Sequence, residues 1–306
     1  MVHQLSLVSS IPHSKYLQTI SSLQAITGII KPTEISTYSL ITQPSLIFKP
    51  KFEPGKINQI EQYFMKCTTT WTKNEFDISK PLNDSKEDII VQKLFNNDED
   101  STERVWTLQI SDIPIAGKNQ QCSQQTIFES TLIHTHIGVD EKDATNEVQK
   151  EESVKKEPAN NDKNNEDSDI MEIDPEEVKE ESNTNPTTTK QQDSFLIYLS
   201  NLGYEVINQY WIKGTKFFIM EDIIIEIYKI FIRDDSYIGN GIKLKLLDES
   251  NTFQIKVYIN IKNSTDIENI NLGIKKLINL QNLIKSLFIL EVPDRMYMDS
   301  RIKLNI

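Results

Sequence analysis

Apolar and polar side chains alternate with a period of two over residues 253–262. The apolar members are Phe253, Ile255, Val257, Ile259 and Ile261. This period is that of a β-strand with one buried face. Residues 242–246 alternate in the same way, and the turn-prone segment 248–251 lies between the two strands. The pattern therefore predicts an antiparallel β-hairpin.

Similar strand patterns occur along most of the chain. They cover residues 2–9, 35–42, 60–71, 106–110, 126–137, 204–212, 215–220 and 223–232. Lys213 and Gly214 predict a turn between the sixth and seventh of these segments. The last segment is apolar on both faces, which indicates a strand covered on both sides. Segment 60–71 also fits a helix.

Three segments have helical spacing of their apolar residues. The first covers residues 14–27 and stops at Gly28, a residue typical of helix C-termini. The second begins at Ser194 and ends at Gly203. The third begins with a capping box formed by Thr265 and Glu268 and continues to residue 287.

About eleven strands and three peripheral helices predict an all-β fold with a minor helical part. A sheet of this size has few exposed edges only if it closes on itself. We therefore expect a single closed antiparallel β-barrel, built from strands on both sides of residue 140. Two separate small domains are the alternative, because residues 1–138 are long enough to fold alone.

The charge of the chain is concentrated in one segment. The whole chain has 33 Lys and Arg against 45 Asp and Glu, a net charge of −12, and a hydrophobic share of 38%. Residues 140–182 contain 17 acidic and 6 basic residues and no aromatic residue, so this segment carries −11. Such a composition buries too little apolar surface to fold.

The composition thus predicts a disordered acidic linker that interrupts one domain. We place the linker at residues 139–193. It separates residues 1–138, the first part of the barrel, from residues 194–306, the second part of the same barrel. A lesser acidic stretch at residues 84–104 predicts an exposed loop in the first part.

Several classes of site have little support in the sequence. The acidic balance argues against direct nucleic-acid binding, no apolar run is long enough for a membrane helix, and two cysteines exclude a disulfide framework. His134 and His136 share one face of a strand but have no third metal ligand nearby in sequence. We expect no metal, no cofactor and no catalytic residue.

Four lysines near the C-terminus fit two interpretations. Lys243, Lys245, Lys256 and Lys262 form either a basic stripe for nucleic acid or the solvated face of a sheet, and we expect the second.

A closed barrel with charged interior strands would also suit a tunnel-type triphosphate hydrolase. That enzyme needs inward carboxylates for a divalent metal, opposed by Lys and Arg for the phosphates. Its mark is Glu-x-Glu-x-Lys on one strand, which this sequence lacks. Glu226 with Lys229 comes nearest, at the wrong spacing. We therefore keep the hydrolase as the less favoured alternative.

Two lysines of the linker lie in apolar-Lys-x-Glu runs, which is the pattern of SUMO acceptors. They are Lys155 and Lys179. The pattern is short and common in Lys/Glu-rich tracts, so we favour a chance match over a SUMO acceptor.

Several segments, taken in sequence order, resemble a known family. They are residues 1–7, 105–117 with 125–127, 202–204 with 214–218, and 292–295 with 298–301. In this order they resemble yeast-type Mediator subunit 18, a head-module subunit of the RNA polymerase II Mediator complex. The resemblance implies a β-barrel related to the triphosphate-tunnel fold without the catalytic carboxylates.

The resemblance also implies partners and a location. Members of this family pair with Mediator subunit 20 and hold the C-terminal helix of Mediator subunit 8. They contact RNA polymerase II and other Mediator subunits indirectly, as transcriptional coactivators in the nucleus. Within the matching C-terminal segments we expect Asp294, Arg295, Asp299 and Arg301 to form either a partner-facing network at the barrel mouth or an internal ion-pair cluster securing the last strand.

Overall fold

A computed structural model describes residues 1–45, 62–71, 89–91, 103–117, 119–135, 194–220, 222–239 and 241–302. The predicted acidic linker at residues 139–193 lies outside these residues, as does most of the predicted acidic loop at residues 84–104. Both therefore stay predictions, and so do the domain boundaries that depend on them.

The described residues form ten strands and three α-helices. The strands are β1 (Val2–Pro12), β2 (Thr33–Pro44), β3 (Met65–Thr70), β4 (Ile89–Val91), β5 (Glu103–Ser111), β6 (Ser123–Thr135), β7 (Tyr204–Ile219), β8 (Ile223–Arg233), β9 (Ile242–Leu246) and β10 (Thr252–Ile261). The helices are α1 (Tyr16–Thr27), α2 (Ser194–Asn201) and α3 (Ile267–Ile284). Short 3-10 helices cover His13–Lys15 and Arg295–Met298.

Eight of the strands close into an antiparallel barrel. Their order is β10-β1-β6-β5-β3-β2-β7-β8, and pairing of β8 with β10 completes the ring. Strand β7 pairs with β2, and β10 pairs with β1, so strands from both sides of residue 140 share one barrel. The predicted closed barrel is confirmed. Strands β9 and β4 extend the sheet beyond β8.

The predicted hairpin of residues 242–246 and 253–262 is wrong. Both segments pair with the same edge of β8, where Leu246 lies opposite Phe231 and Gln254 lies opposite Tyr228. The intervening loop does not reverse the chain. Its fold is fixed by the Asp248 carboxylate, which accepts a hydrogen bond from the Ser250 amide at 2.9 Å. Strands β9 and β10 therefore run in one direction, one after the other.

The predicted turn at Lys213 and Gly214 is also wrong, because both residues lie inside the continuous strand β7. Glycine occurs within strands where another backbone approaches closely, and Gly214 allows such an approach by the β8 backbone.

The predicted C-terminus of α1 is confirmed, whereas the predicted N-cap of α3 is wrong by one residue. Helix α1 ends at Gly28 in the left-handed region, with φ of 70°, as predicted. Helix α3 begins one residue later than predicted. Its N-cap is Asp266, whose side chain accepts a hydrogen bond from the Asn269 amide at 3.1 Å, whereas the expected cap was Thr265.

The main apolar core lies outside the barrel wall, beneath helices α1 and α3. The alternating apolar residues of β10 and the odd-numbered residues 223–227 of β8 are all buried in it. Gly273 of α3 marks how tightly the helix packs, since a Cβ atom there would stand 2.8 Å from Leu5 Cδ1 and 3.5 Å from Ile261 Cδ1. The five apolar side chains of β10 contribute roughly 7–15 kcal/mol in gross burial energy.

A second apolar core lies between α2 and the other end of the barrel wall. Phe195 of α2 stacks on Trp106 with ring centroids 3.9 Å apart, and Trp211 packs against Tyr38 at 4.9 Å. With both cores on the outer face, alternation turns the polar residues of the same strands into the lumen.

Candidate functional site

The polar residues predicted near the C-terminus lie in a segment that crosses several strands, here called the C-terminal strap (residues 291–302). Glu291 exchanges backbone hydrogen bonds of 2.8 and 2.9 Å with Val8 of β1. At its other end, Ile302 donates to the Gln62 carbonyl at 2.8 Å, and Phe64 donates to the Ser300 carbonyl at 2.8 Å. The strap thus joins β1 to the segment before β3, and it contains the 3-10 helix Arg295–Met298.

Side chains of the strap hold it in place. The Asp294 carboxylate accepts from the Met296 amide at 2.9 Å, and Arg295 Nε donates to the Pro114 carbonyl at 2.7 Å. Arg301 donates to Asp299 through Nε at 3.0 Å and Nη2 at 2.8 Å. These hydrogen bonds lower the pKa of Asp299 to about 2. All these contacts lie within the chain, while Asp294 and Arg295 remain exposed. A partner-facing network and an internal ion-pair cluster therefore both stay predictions.

One wall of the lumen carries a row of charged residues. Lys216 of β7, Glu226 of β8 and Lys256 of β10 are successive cross-strand partners. Glu226 Oε1 lies 2.9 Å from Lys216 Nζ and accepts from the Tyr258 hydroxyl at 2.8 Å. Burial raises the pKa of the Tyr258 hydroxyl, and the Glu226 carboxylate and its hydrogen bond raise it further.

The wall opposite carries a second polar row. Lys66 of β3, Gln109 of β5 and Glu129 of β6 are successive cross-strand partners. Gln109 Nε2 donates to Glu129 Oε1 at 3.0 Å, and Lys66 Nζ lies 5.8 Å from the ring centroid of Tyr210. In the barrel order, β1 and β2 separate this arc of strands from the arc β7-β8-β10. The two rows therefore face each other.

The charges of the two rows act on each other across the lumen. Burial lowers the pKa of Lys256 to about 8. Glu226 and Glu129 act against this effect, and the positive charge of Lys66 adds to it. The predicted solvated sheet face is wrong for Lys256, because its side chain points into the barrel. In the sequence, the feature related to this placement is that every second residue of β10 is polar.

The lumen does not reproduce the carboxylate cluster of a tunnel-type hydrolase among the described residues. Glu129 and Glu226 face the lumen, but within the described part of the chain no three His, Cys, Asp or Glu side chains come together as a metal site. Lys229 lies on the outer face, 1% exposed, where its Nζ contacts His13 Nδ1 at 2.7 Å and Asn251. Glu226 and Lys229 therefore point to opposite sides of β8.

A groove opens in the barrel wall beside α2. Strand β7 pairs with β8 only from Trp211 onward, so its N-terminal residues 204–210 extend beyond that pairing. The resulting groove has a volume of about 890 Å³. Its apolar lining includes Leu196, Leu199, Val206, Ile207, Ile232 and Leu247. Val206 and Ile207 are 42% and 45% exposed, so this apolar surface is open to solvent.

Other predicted residues contribute no described site. The side chains of His134 and His136, like Lys155 and Lys179, lie outside the described residues. Cys67 and Cys122 are buried and free, and burial raises their pKa values to about 12 and about 11. In the described part of the chain, no helix combines the length and apolar character needed to cross a bilayer.

Comparisons with known proteins give a consistent result. The family model described as Med18 protein matches residues 3–301. Mediator of RNA polymerase II transcription subunit 18 from Candida albicans is 55% identical over 99% of this chain and 100% of its own length. The protein of the same name from Debaryomyces hansenii is 49% identical over 99% of both chains.

The fold also has a counterpart among solved structures. A chain in the structure of the Schizosaccharomyces pombe Mediator head module aligns with a TM-score of 0.53 and 13% identity, covering 95% of this chain and 98% of that chain. At this identity the similarity establishes a common fold.

Proposed function

The chain belongs to the Med18 family, and on that premise we propose that it joins the Mediator head module by pairing with Mediator subunit 20 and holding the C-terminal helix of Mediator subunit 8. The observation that carries this proposal is the match along the whole chain, from residue 3 to residue 301. The chain is a subunit of the Mediator head module, a part of a transcriptional coactivator. We infer that it works without catalysis, in the nucleus, and reaches RNA polymerase II through other subunits.

We assign the groove beside α2 to the helix of subunit 8. Its exposed apolar residues lie on a rim that also carries Glu205, Arg233 and Asp235. An amphipathic helix presents an apolar stripe flanked by polar residues, which suits a groove of this composition. Exposed apolar surface of this kind is typical of a protein that binds partners.

Co-expression with subunit 20 and the C-terminal segment of subunit 8, followed by size-exclusion chromatography, tests the proposal. We expect one peak that contains all three chains. The double variant Val206→Asp/Ile207→Asp should lose subunit 8 and keep subunit 20. The control Leu272→Asp changes an exposed leucine on the outside of α3 and should keep both partners.

Two outcomes would count against the proposal. If the chain elutes alone beside both partners, the pairing is wrong. If the complex forms but the double variant retains subunit 8, the pairing stands and the groove assignment is wrong.

A further inference from the structure

One edge of β1 is open beyond Val8. The strand pairs with β10 along its whole length, but its pairing with β6 ends at Ser6. Val8 then exchanges backbone hydrogen bonds with Glu291 of the C-terminal strap. Because hydrogen-bonded and non-hydrogen-bonded pairs alternate in an antiparallel ladder, the backbone N–H and C=O of Ser10 also point away from β10. No described residue bonds to these two groups, and Ser10 is exposed.

A cleft of about 610 Å³, here called the β1-edge cleft, lies along this open edge. One wall is formed by residues 8–12 of β1, and the other by residues 285–289, which follow α3. The hydrogen bonds between Val8 and Glu291 close one end. At the other end Pro12 has no N–H group, so the bonding edge stops there. The cleft therefore has room for a short extended segment beside Ser10.

The lining of the β1-edge cleft has an excess of positive charge. Lys15 follows β1 and Lys285 caps the C-terminus of α3, and both are exposed. Neither lysine forms an ion pair within the described part of the chain. Glu291 is the one acidic residue of the described lining. Ile289, which is 65% exposed, adds apolar surface to the same cleft.

We propose that the β1-edge cleft binds an extended acidic peptide of a partner protein, which adds a short strand to β1. An added strand satisfies a free sheet edge, because its backbone supplies the missing acceptor and donor. In the cleft the peptide bonds to the N–H and C=O of Ser10, and its carboxylates lie near Lys15 and Lys285. These opposite charges select acidic peptides over other extended segments.

Other kinds of occupant fit the β1-edge cleft less well. A helix bonds its own backbone groups internally, so it would leave the groups of Ser10 unpaired. A basic segment would be repelled by the two lysines. The acidic segment of this chain, residues 140–182, has the same charge as the proposed peptide, and the experiment below separates the two. The cleft shares no described lining residue with the groove beside α2, so this inference does not depend on subunit 8.

Fluorescence polarisation with the full chain at constant ionic strength tests the proposal. The probe is a fluorescein-labelled heptapeptide of alternating valine and aspartate. We expect it to bind, and to bind about tenfold more weakly when every backbone amide is N-methylated. Lys15→Met with Lys285→Met should weaken binding of the probe about fivefold, because two charge pairs are lost. The matched control Lys275→Met removes an exposed lysine of α3 outside the cleft and should bind like the wild type.

Three outcomes would overturn the proposal, once circular dichroism has shown that each variant is folded. Equal affinity for the probe and its N-methylated form would rule out strand addition. Equal affinity of Lys275→Met and the double lysine variant would rule out this cleft as the site. Absence of binding to the full chain at millimolar peptide would rule out a partner as the occupant. Binding that then appears after deletion of residues 140–190 would assign the cleft to the acidic segment of the chain itself.

Discussion

Gly214 of β7 and Tyr228 of β8 are cross-strand partners whose backbones approach so closely that no side chain fits at residue 214. A Cβ atom there would stand 2.1 Å from the Ile227 carbonyl oxygen and 2.6 Å from Tyr228 Cα. Both neighbours are backbone atoms, so they cannot rotate away. The Gly214–Tyr228 pair therefore allows the backbones of β7 and β8 to approach closely at this point.

We expect Gly214→Ala to lower the free energy of unfolding by about 1–3 kcal/mol, the usual range for overpacking. Urea denaturation followed by circular dichroism measures it. Gly117→Ala is the control, because its added methyl group would meet only the flexible Gln120 side chain. Equal stability of Gly214→Ala and the wild type would contradict the packing described for β7 and β8.

The outer core should not tolerate a charge at Val257. This side chain is fully buried between Leu7 and Ile225 of the neighbouring strands. Val257→Asp buries an unpaired carboxylate, so we expect no soluble folded protein. Val257→Ala should fold with a lower melting temperature, and Asn263→Asp, on an exposed loop, should behave like the wild type. A folded Val257→Asp protein would show that the outer face of β10 is not a core.

The charge of Lys256 should make stability depend on pH. Its pKa is about 8 in the folded state and about 10.4 in the unfolded chain, so folding disfavours the protonated form. That cost is fully present below about pH 8 and declines as the pH rises toward 10.4. Glu226 and Glu129 reduce the cost, and Lys66 increases it.

Lys256→Met should therefore be more stable than the wild type near about pH 7, and this advantage should shrink near about pH 9. Chemical denaturation at both pH values provides the measurement. Lys262→Met, at an exposed position, should show no such pH-dependent difference. An advantage that stays constant with pH would mean that Lys256 does not titrate in the lumen.

The C-terminal strap should open when its side-chain contacts are removed. We expect Arg295→Ala with Asp299→Asn to speed hydrogen exchange at the amides of Phe64 and Ile302, while core amides of β10 stay protected. The low pKa of Asp299 means that its contribution is present above about pH 4 and is lost as the pH falls through about 2. Asp235→Asn is the matched control, since Asp235 forms an exposed pair with Arg233 at 3.2 Å. Unchanged exchange at both amides would show that these side chains do not hold the strap.

Deletion of residues 140–190 should leave the complex with subunits 20 and 8 and its melting temperature nearly unchanged. The reason is compositional, because this segment has too few apolar residues to add to a core. Differential scanning fluorimetry and size-exclusion chromatography provide the measurements. Unfolding of the shortened chain would show that the linker prediction is wrong.

Alternation along the sequence predicted most strands, because the outer face of each is continuously apolar. It could not predict the order of the strands, since pairing joins residues far apart in the chain. Strands β9 and β10 illustrate the limit. Their sequences satisfy the rules for a hairpin, yet both find a partner in β8, which is long enough to pair with each in turn.

The lumen was harder to predict than the fold. Alternation separates a polar face from an apolar face but does not say which face points inward, and the usual expectation places the polar face in solvent. Here helices α1, α2 and α3 cover the apolar face, which leaves Lys66, Glu226 and Lys256 inside. The side-chain partners of Lys66 and Glu226 come from other strands, so no spacing in the sequence marks those contacts.

Closure of the barrel has a consequence for how the chain is made. Gln4 of β1 donates a hydrogen bond to Asn260 of β10 at 3.0 Å, so this contact forms only after 256 further residues have been synthesised. Strand β2 likewise cannot form its pairing with β7 until β7 has been synthesised. Until then the nascent chain exposes unpaired strand edges, which are prone to aggregate. Folding to the closed ring is thus completed only after residues 252–261 of β10 have been synthesised.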